Sequence, residues 1–329
     1  KHVYVEKPLT HSFQEAELLM RAEKKFKVVT QMGNQGHTGT ASNQFREWVK
    51  KGVIKNVTHV DAWKGPSCFF MQKDKRISEW PKREEQPKGM NWDLWLGPAE
   101  HHPFSSMYHT FEWRGFHPYG SGMLGDWGCH IIDMIHHYLD LGLPTEIKAQ
   151  RMDDHNKVIF PLNSHMQFKF PARGKHPELT LNWKDGVNCQ AEVPKKYWDN
   201  PEKPPRLGGA GTLFKVEGED YMIQRNSHGG SSRLFPYAKS KDLDLKTENV
   251  REDHLESFVQ ACLGNGKTWS PFSVGGLLTQ VLTLGCIAQY FNQDLEFDPK
   301  THKITNDKLA NERLSIPPRK GWEDFYKIL

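Results

Sequence analysis

Two hydrophobic periods divide this chain. Near its start, KHVYVEKP alternates apolar and polar positions with the period of two that marks a strand. A capping box at Ser12-Phe13-Gln14-Glu15 then predicts a helix over Phe13 to Lys25, with Leu18, Leu19, Ala22 and Phe26 as its buried stripe. Lys27 to Met32 reads as a second strand. Strand, helix and strand with short links predict a parallel, right-handed βαβ unit. Strands of this kind sit inside larger parallel sheets, so the chain is expected to begin partway through a larger domain. After a glycine-spaced turn over Gly33 to Gly39, the pattern predicts a helix at Ala41 to Lys51 and a strand at Val57 to Trp63.

Gly65 to Glu100 is loop-rich, a length that in a compact domain is functional or disordered. The aromatic run Trp92, Trp95, Phe104, Tyr108, Phe111, Trp113, Phe116 and Tyr119 argues for order and predicts a wall beside the next helix, partly facing a substrate. That helix opens in GSGMLGDWGCHIID and should stop near Gly142 and Pro144. Beyond it, Met166, Phe168 and Phe170 alternate with polar residues, as do Leu179, Leu181 and Trp183, which predicts strands with one buried face. Gly211 to Gly218 and Tyr221 to Arg225 read as a hairpin, and the Pro-rich Val193 to Arg206 as a surface loop. Two helices follow, one with Leu255, Phe258, Val259 and Cys262 on its buried stripe and a strongly apolar one over Leu277 to Tyr290.

Composition narrows the class. With 44 basic and 40 acidic residues interleaved along 329, the net charge of +4 offers no stripe for nucleic acid. No run approaches the roughly 18 uninterrupted apolar residues of a membrane span. The cysteines Cys68, Cys129, Cys189, Cys262 and Cys286 are odd in number and lack a CxxC pair, which argues against a disulfide framework or a structural zinc site. Eleven tryptophans and 17 histidines hint at site chemistry, since Trp faces suit sugar rings and His suits proton transfer; core anchoring accounts for most of the Trp.

The chemistry concentrates at Asp126 and His130, four apart and so on one helix face. A carboxylate that fixes an imidazole tautomer is a proton-transfer device; a structural hydrogen-bonded pair is the alternative. Asp133 and His137 continue the stripe, but its eleven residues span about 16 Å, too far for one ion to take all four, and no metal is assigned. Arg114, beside Trp113, could fork onto a phosphate, a ribose or a sugar oxygen, or form a surface ion pair. Asn34 and Gln35 lie at a strand end, where ligands collect in parallel sheets. Tyr108 and His117 are weaker candidates for substrate contact.

KHVYVEKPL near the start, GSGMLGDWGCHIID in the middle, and LDLGLP through RKGW together resemble the glucose-fructose oxidoreductase, inositol dehydrogenase and rhizopine-catabolism group, Gfo/Idh/MocA. That resemblance implies an α/β fold: the last part of a Rossmann domain, residues 1–38, followed by a C-terminal α/β domain, residues 39–329, with a large open, mostly antiparallel sheet. It implies NAD or NADP as cofactor, with Glu6, Lys7, Pro8, Asn34, Gln35, Trp113 and Arg114 near it. Lys7 would sit beside nicotinamide and substrate, and His130 would be the acid/base for a sugar or polyol hydroxyl, with Asp126 orienting it. The family's first Rossmann strand, its GxGxxG loop and its ribose-binding acid have no counterpart in the expected order. The expected function is hydride transfer between a nicotinamide and a sugar, sugar derivative or cyclitol. Redox-assisted glycoside cleavage on the same scaffold and a non-catalytic sugar-binding chain are the alternatives. A homo-oligomer through the open sheet is expected from an exposed apolar face.

Overall fold

The computed structural model describes residues 1–65, 76–250 and 253–327; Cys68 lies outside them. The first unit forms as the alternation predicts. Strand β1 (Val3–Val5) pairs in parallel with β2 (Thr30–Met32), with Val5 opposite Met32. Between them runs α1 (Phe13–Phe26), whose capping box is complete: the Ser12 hydroxyl accepts from the Glu15 amide and the Glu15 carboxylate accepts from the Ser12 amide. Its buried face differs from the predicted stripe. Phe13 and Ala16 are buried, Leu18, Leu19 and Ala22 are half-covered, and Phe26 is exposed, because the face turned to the core runs through Phe13, Ala16, Met20 and Glu23, where Met20 meets Gly276 and the Glu23 carboxylate accepts from the Ser273 amide.

The chain continues through α2 (Thr40–Lys50), β3 (His59–Lys64), the short α3 (Trp92–Leu96), α4 (Gly122–Ile131), α5 (Asp133–Tyr138), β4 (Glu146–Asp153), β5 (Asn163–Phe170), β6 (Leu179–Asp185), β7 (Ala210–Lys215), β8 (Met222–Asn226), β9 (Ser232–Phe235), α6 (His254–Cys262), α7 (Phe272–Phe291), β10 (Leu295–Asp298), β11 (Lys303–Ile304) and α8 (Lys308–Glu312). The one long helix expected after Gly120 is two, α4 and α5, divided at Ile132. Among the described residues, nine strands form one sheet in the order β11-β10-β4-β5-β6-β3-β7-β8-β9, antiparallel except where β3 runs parallel to β6. The large, mostly antiparallel sheet is the one expected.

Met166, Phe168, Phe170, Leu179, Leu181 and Trp183 are buried, as the period of two requires. Their face packs with α4, α5 and α7 into the main core. Helix α7 has 20 residues, long and apolar enough by those criteria to cross a membrane, but it is largely buried against α1, α4, β2 and β4. It is a core helix. On the opposite face, Gln167, Lys169, Thr180 and Lys184 are polar, and Trp63, Leu213 and Phe235 are covered by Cys189, Val193 and Tyr197. The expectation of an exposed apolar sheet face is therefore corrected: helices cover one face, and the Pro-rich segment, more than a surface loop, covers part of the other.

The stripe predicted for α6 is only half covered: Phe258 meets the Tyr4 ring edge-on and Cys262 is part-buried. Leu255 and Val259 are exposed, and His254 and Ala261 are buried instead. The reason is polar docking: His254 Nε2 lies 2.9 Å from the Met32 carbonyl, and the Gln31 amide donates to the His254 carbonyl at 2.6 Å, which turns that edge of the helix towards β2. The aromatic wall is real. Trp92, Phe104, Tyr108 and Phe116 are buried with Val158 and Ile159, flanked by Trp95, Trp113 and Tyr119, whereas Phe111 is exposed.

Candidate active site

The carboxyl ends of β1 and β2 meet one face of α4 and α5, where Asp126 takes Lys7 and both Asp133 and His137 meet His37, while His130 turns to the β8–β9 loop. Lys7, two residues past β1, donates through Nζ to Asp126 Oδ1 at 2.8 Å and to the Asp126 carbonyl at 3.0 Å. Arg114 lies with Nε 3.9 Å from the same carboxylate oxygen, its guanidinium 4.5 Å above the Trp113 ring. A part-buried carboxylate thus gathers two cations from two distant segments.

One turn on, His130 is held by a residue that the sequence reading missed. Its ring stacks on His228, with centroids 3.9 Å apart and planes 23° apart, and its Nδ1 is buried without a partner. No hydrogen bond joins Asp126 to His130 among the described residues. The expected orienting bond is corrected, because Lys7 occupies the carboxylate. Burial, with Lys7 and His228 close by, pushes the His130 imidazole down to about 3, so it is neutral at physiological pH. Trp127 meets His228 edge-on at 4.9 Å, and Lys64 Nζ stands 4.3 Å over the Trp127 ring. His228 sits on the β8–β9 loop, far from α4 in sequence; only its Ser-His-Gly-Gly turn composition marked it.

The lower half of the stripe is structural. The Asp133 carboxylate accepts from His37 Nδ1 and from the Asn34 side-chain amide, each at 2.8 Å, and all three residues are buried. Burial raises the Asp133 carboxyl, but His37, His137 and Arg225 outweigh it and leave it below its usual range. Asn34 is therefore turned into the protein and does not line an open edge. Gln35 is exposed, its amide 3.4 Å from the Tyr4 hydroxyl. Glu6 is exposed beside Lys7. Among the described residues, no cluster of three or more metal-capable side chains forms.

Two substrate candidates are placed elsewhere. Tyr108 is fully buried in the aromatic wall, its hydroxyl unpartnered and pushed up to about 12 by burial. His117 is buried against Phe160 and Tyr290, and burial, with Arg313 adding to it, holds its imidazole well below its usual range. With Pro8, His11 and Arg313 it lines a small pocket. Tyr108 is thus packed within the aromatic wall, whose density explains its burial, whereas His117 stands at the wall of this pocket.

A literal GxGxxG spacing does occur, at Gly120 to Gly125, but no strand leads into it. Its glycines answer to packing. A Cβ at Gly120 would strike the Arg114 backbone, one at Gly125 would strike Ser121, and Gly122, at φ +57°, has Phe160 Cγ at 2.5 Å from where a Cβ would be. The residues present fit the nicotinamide end of a dinucleotide: a cationic side chain at the carboxyl ends of two parallel strands, beside a neutral, unpartnered imidazole nitrogen. The order strand, glycines, helix does occur at β2, Gly33 to Gly39 and α2, but its spacing is GxxGxxG and not the GxGxxG of a dinucleotide phosphate loop.

Residues 39–173 match the family described as "Oxidoreductase family, C-terminal alpha/beta domain". Among solved structures, an NAD-binding protein from Listeria innocua aligns with a TM-score of 0.54 at 12% identity, over 90% of this chain and 75% of that one. A proposed NADPH-dependent oxidoreductase from Desulfitobacterium hafniense aligns at 0.52 and 13% identity, over 90% and 73%. A proposed oxidoreductase from Thermotoga maritima gives 0.51 and 14%, over 90% and 72%. At these identities the likeness is one of fold. No curated protein matches the chain.

Proposed function

We propose, from the premise that this chain is a Gfo/Idh/MocA-family oxidoreductase carrying that family's C-terminal α/β domain, that it serves NAD(P)-dependent oxidation or reduction of a hydroxyl on a sugar, sugar derivative or cyclitol. The observation that carries the reading is the Lys7–Asp126 pair at 2.8 Å, which joins the β1 end to α4 one turn before His130. Residues 1–38 would be the cofactor-side part and residues 39–329 the substrate-side part of the site between them. A bound nicotinamide would supply the hydride acceptor. His130, neutral and with Nδ1 free, takes the hydroxyl proton. Negative charge growing on the substrate oxygen raises the proton affinity of that imidazole and is itself stabilised by the Lys7 ammonium. Asp126 keeps the ammonium in place, and Arg114 balances the carboxylate from the other side. Trp127, with Lys64 above it, offers a flat wall for a sugar ring. A homo-oligomer through the polar face of the nine-stranded sheet completes the proposal.

The deciding measurement is turnover of the intact protein with NAD or NADP and a panel of aldoses, cyclitols and glycosides, beside His130→Ala. The variant should lose about 100-fold or more in turnover while remaining folded; wild-type turnover in the variant would end the assignment. Reduced cofactor accumulating with the oxidised sugar supports net oxidation, whereas glycoside cleavage without net redox change would replace it with the redox-assisted reading.

A further inference from the structure

The proton-accepting imidazole lacks the carboxylate partner expected to orient it, and the structure shows what stands in that place. The His130 ring lies flat against His228, and the His228 amide donates to the His130 carbonyl at 3.4 Å. His228 is itself fixed from several sides. Its backbone is left-handed, at φ +55°, and its Nδ1 lies 3.1 Å from the Ser227 hydroxyl. Its ring meets the edge of Trp127. The next residue, Gly229, is pressed against Gly36 so closely that a Cβ on Gly36 would lie 2.5 Å from the Gly229 amide nitrogen. The β8–β9 loop is thereby locked between the turn after β2 and the exposed edge of α4.

The stacking geometry separates two roles. Imidazole nitrogens donate and accept in the ring plane, so two rings face to face cannot pass a proton between them directly. What the contact can do is fix the plane of the His130 ring, and with it the direction of its free nitrogen. It also opposes a second charge: Lys7 and Asp133 face His130, while Lys7, Asp126 and Lys64 face His228, so carboxylates and cations are already matched around the pair. Two imidazolium rings at this separation would repel.

Resting on the reading of His130 as the base, we propose that His228 is the positioning residue of this site: stacked on His130 and locked by its loop, it sets the plane in which His130 accepts the substrate proton.

Two variants of the full chain test this. His228→Asn tolerates a left-handed backbone and removes the ring, and His228→Phe keeps a flat ring without ring nitrogens. Imidazole ¹H–¹⁵N spectra of His130 are recorded for both and for the wild type, together with turnover of glucose and myo-inositol with NAD and NADP. His228→Asn should shift and broaden the His130 ring signals, lower kcat by about 10-fold with the KM for nucleotide unchanged, and move the acid limb of the kcat/KM profile. His228→Phe should bring kcat back to within about 3-fold of wild type, with sharp His130 signals. Wild-type spectra and kcat in His228→Asn would overturn the proposal, as would a His228→Phe variant that melts with the wild type and is still no better than the Asn variant. If neither sugar turns over but the His130 signals respond as stated, His228 still sets the plane of the His130 ring, and it is the reading of these two sugars as substrates that fails.

Discussion

A single side chain at this site is defined by what has already claimed its neighbour. Asp126 and His130 have the spacing of a carboxylate–imidazole pair, yet Lys7 reaches in from β1 and takes the carboxylate. Lys7→Met should therefore leave Asp126 part-buried with Arg114 as its remaining cation, at a cost of about 2 kcal/mol in stability. Its turnover should fall about 100-fold; denaturant titration and steady-state kinetics measure the two effects separately. Asp185 offers a pH test. Burial, partly offset by hydrogen bonds from Ser164 and Trp183, pushes its carboxyl up to about 6, against about 4 in an unfolded chain. Between those values the native state holds more protons than the unfolded one, so this group's contribution to stability falls as pH rises from about 4 to about 6 and is level above that. Asp185→Asn should accordingly gain up to about 3 kcal/mol relative to wild type on going from pH 4 to pH 7, read as the difference between their denaturation midpoints. A difference that does not change with pH would contradict the raised carboxyl.

At the scale of elements, local chemistry was the legible part. The capping box at Ser12 and Glu15 formed where its four residues placed it, since each bond spans only three positions. Ser12→Ala should cost about 1 kcal/mol by thermal or denaturant unfolding, with little effect on the site. The strands β5 and β6 and the hairpin of β7 with β8 were equally readable, because a half-buried sheet writes its two faces into alternate residues. Helix faces were less so. On α6 half of the apolar stripe, Leu255 and Val259, is exposed, since hydrogen bonds from Gln31 and His254 to distant carbonyls decide the docking, and no period records a contact more than 200 positions away. The start of α4 depends on Gly122, whose left-handed backbone and contact with Phe160 leave no room for a side chain. Gly122→Ala should destabilise the protein by about 3 kcal/mol and displace Asp126 and His130 together. Melting temperature and turnover should fall in parallel; an unchanged melting temperature would show that the turn relaxes freely.

For the whole molecule, one unit is built around the sheet and α7, with the aromatic wall and the Pro-rich cover as smaller cores beside it. With one sheet face under helices, self-association through the sheet would use the polar face of Gln167, Lys169, Thr180 and Lys184. Light scattering should show a dimer or larger species that weakens with salt, as a polar, charged contact requires; a monomer at all concentrations would remove that part of the proposal. The sequence by itself determined the parallel βαβ start, the strands β5 and β6, the hairpin of β7 with β8, the apolar α7 and the residues able to do chemistry, because these follow from local periods and caps. Only the tertiary structure decided the pairings: Lys7 with Asp126, His37 with Asp133, and His228 on His130. Those contacts join segments about 100 residues apart, and several polar groups compete for each partner. Which of them wins depends on where the sheet and α7 hold the backbone, a property no stretch of residues carries alone.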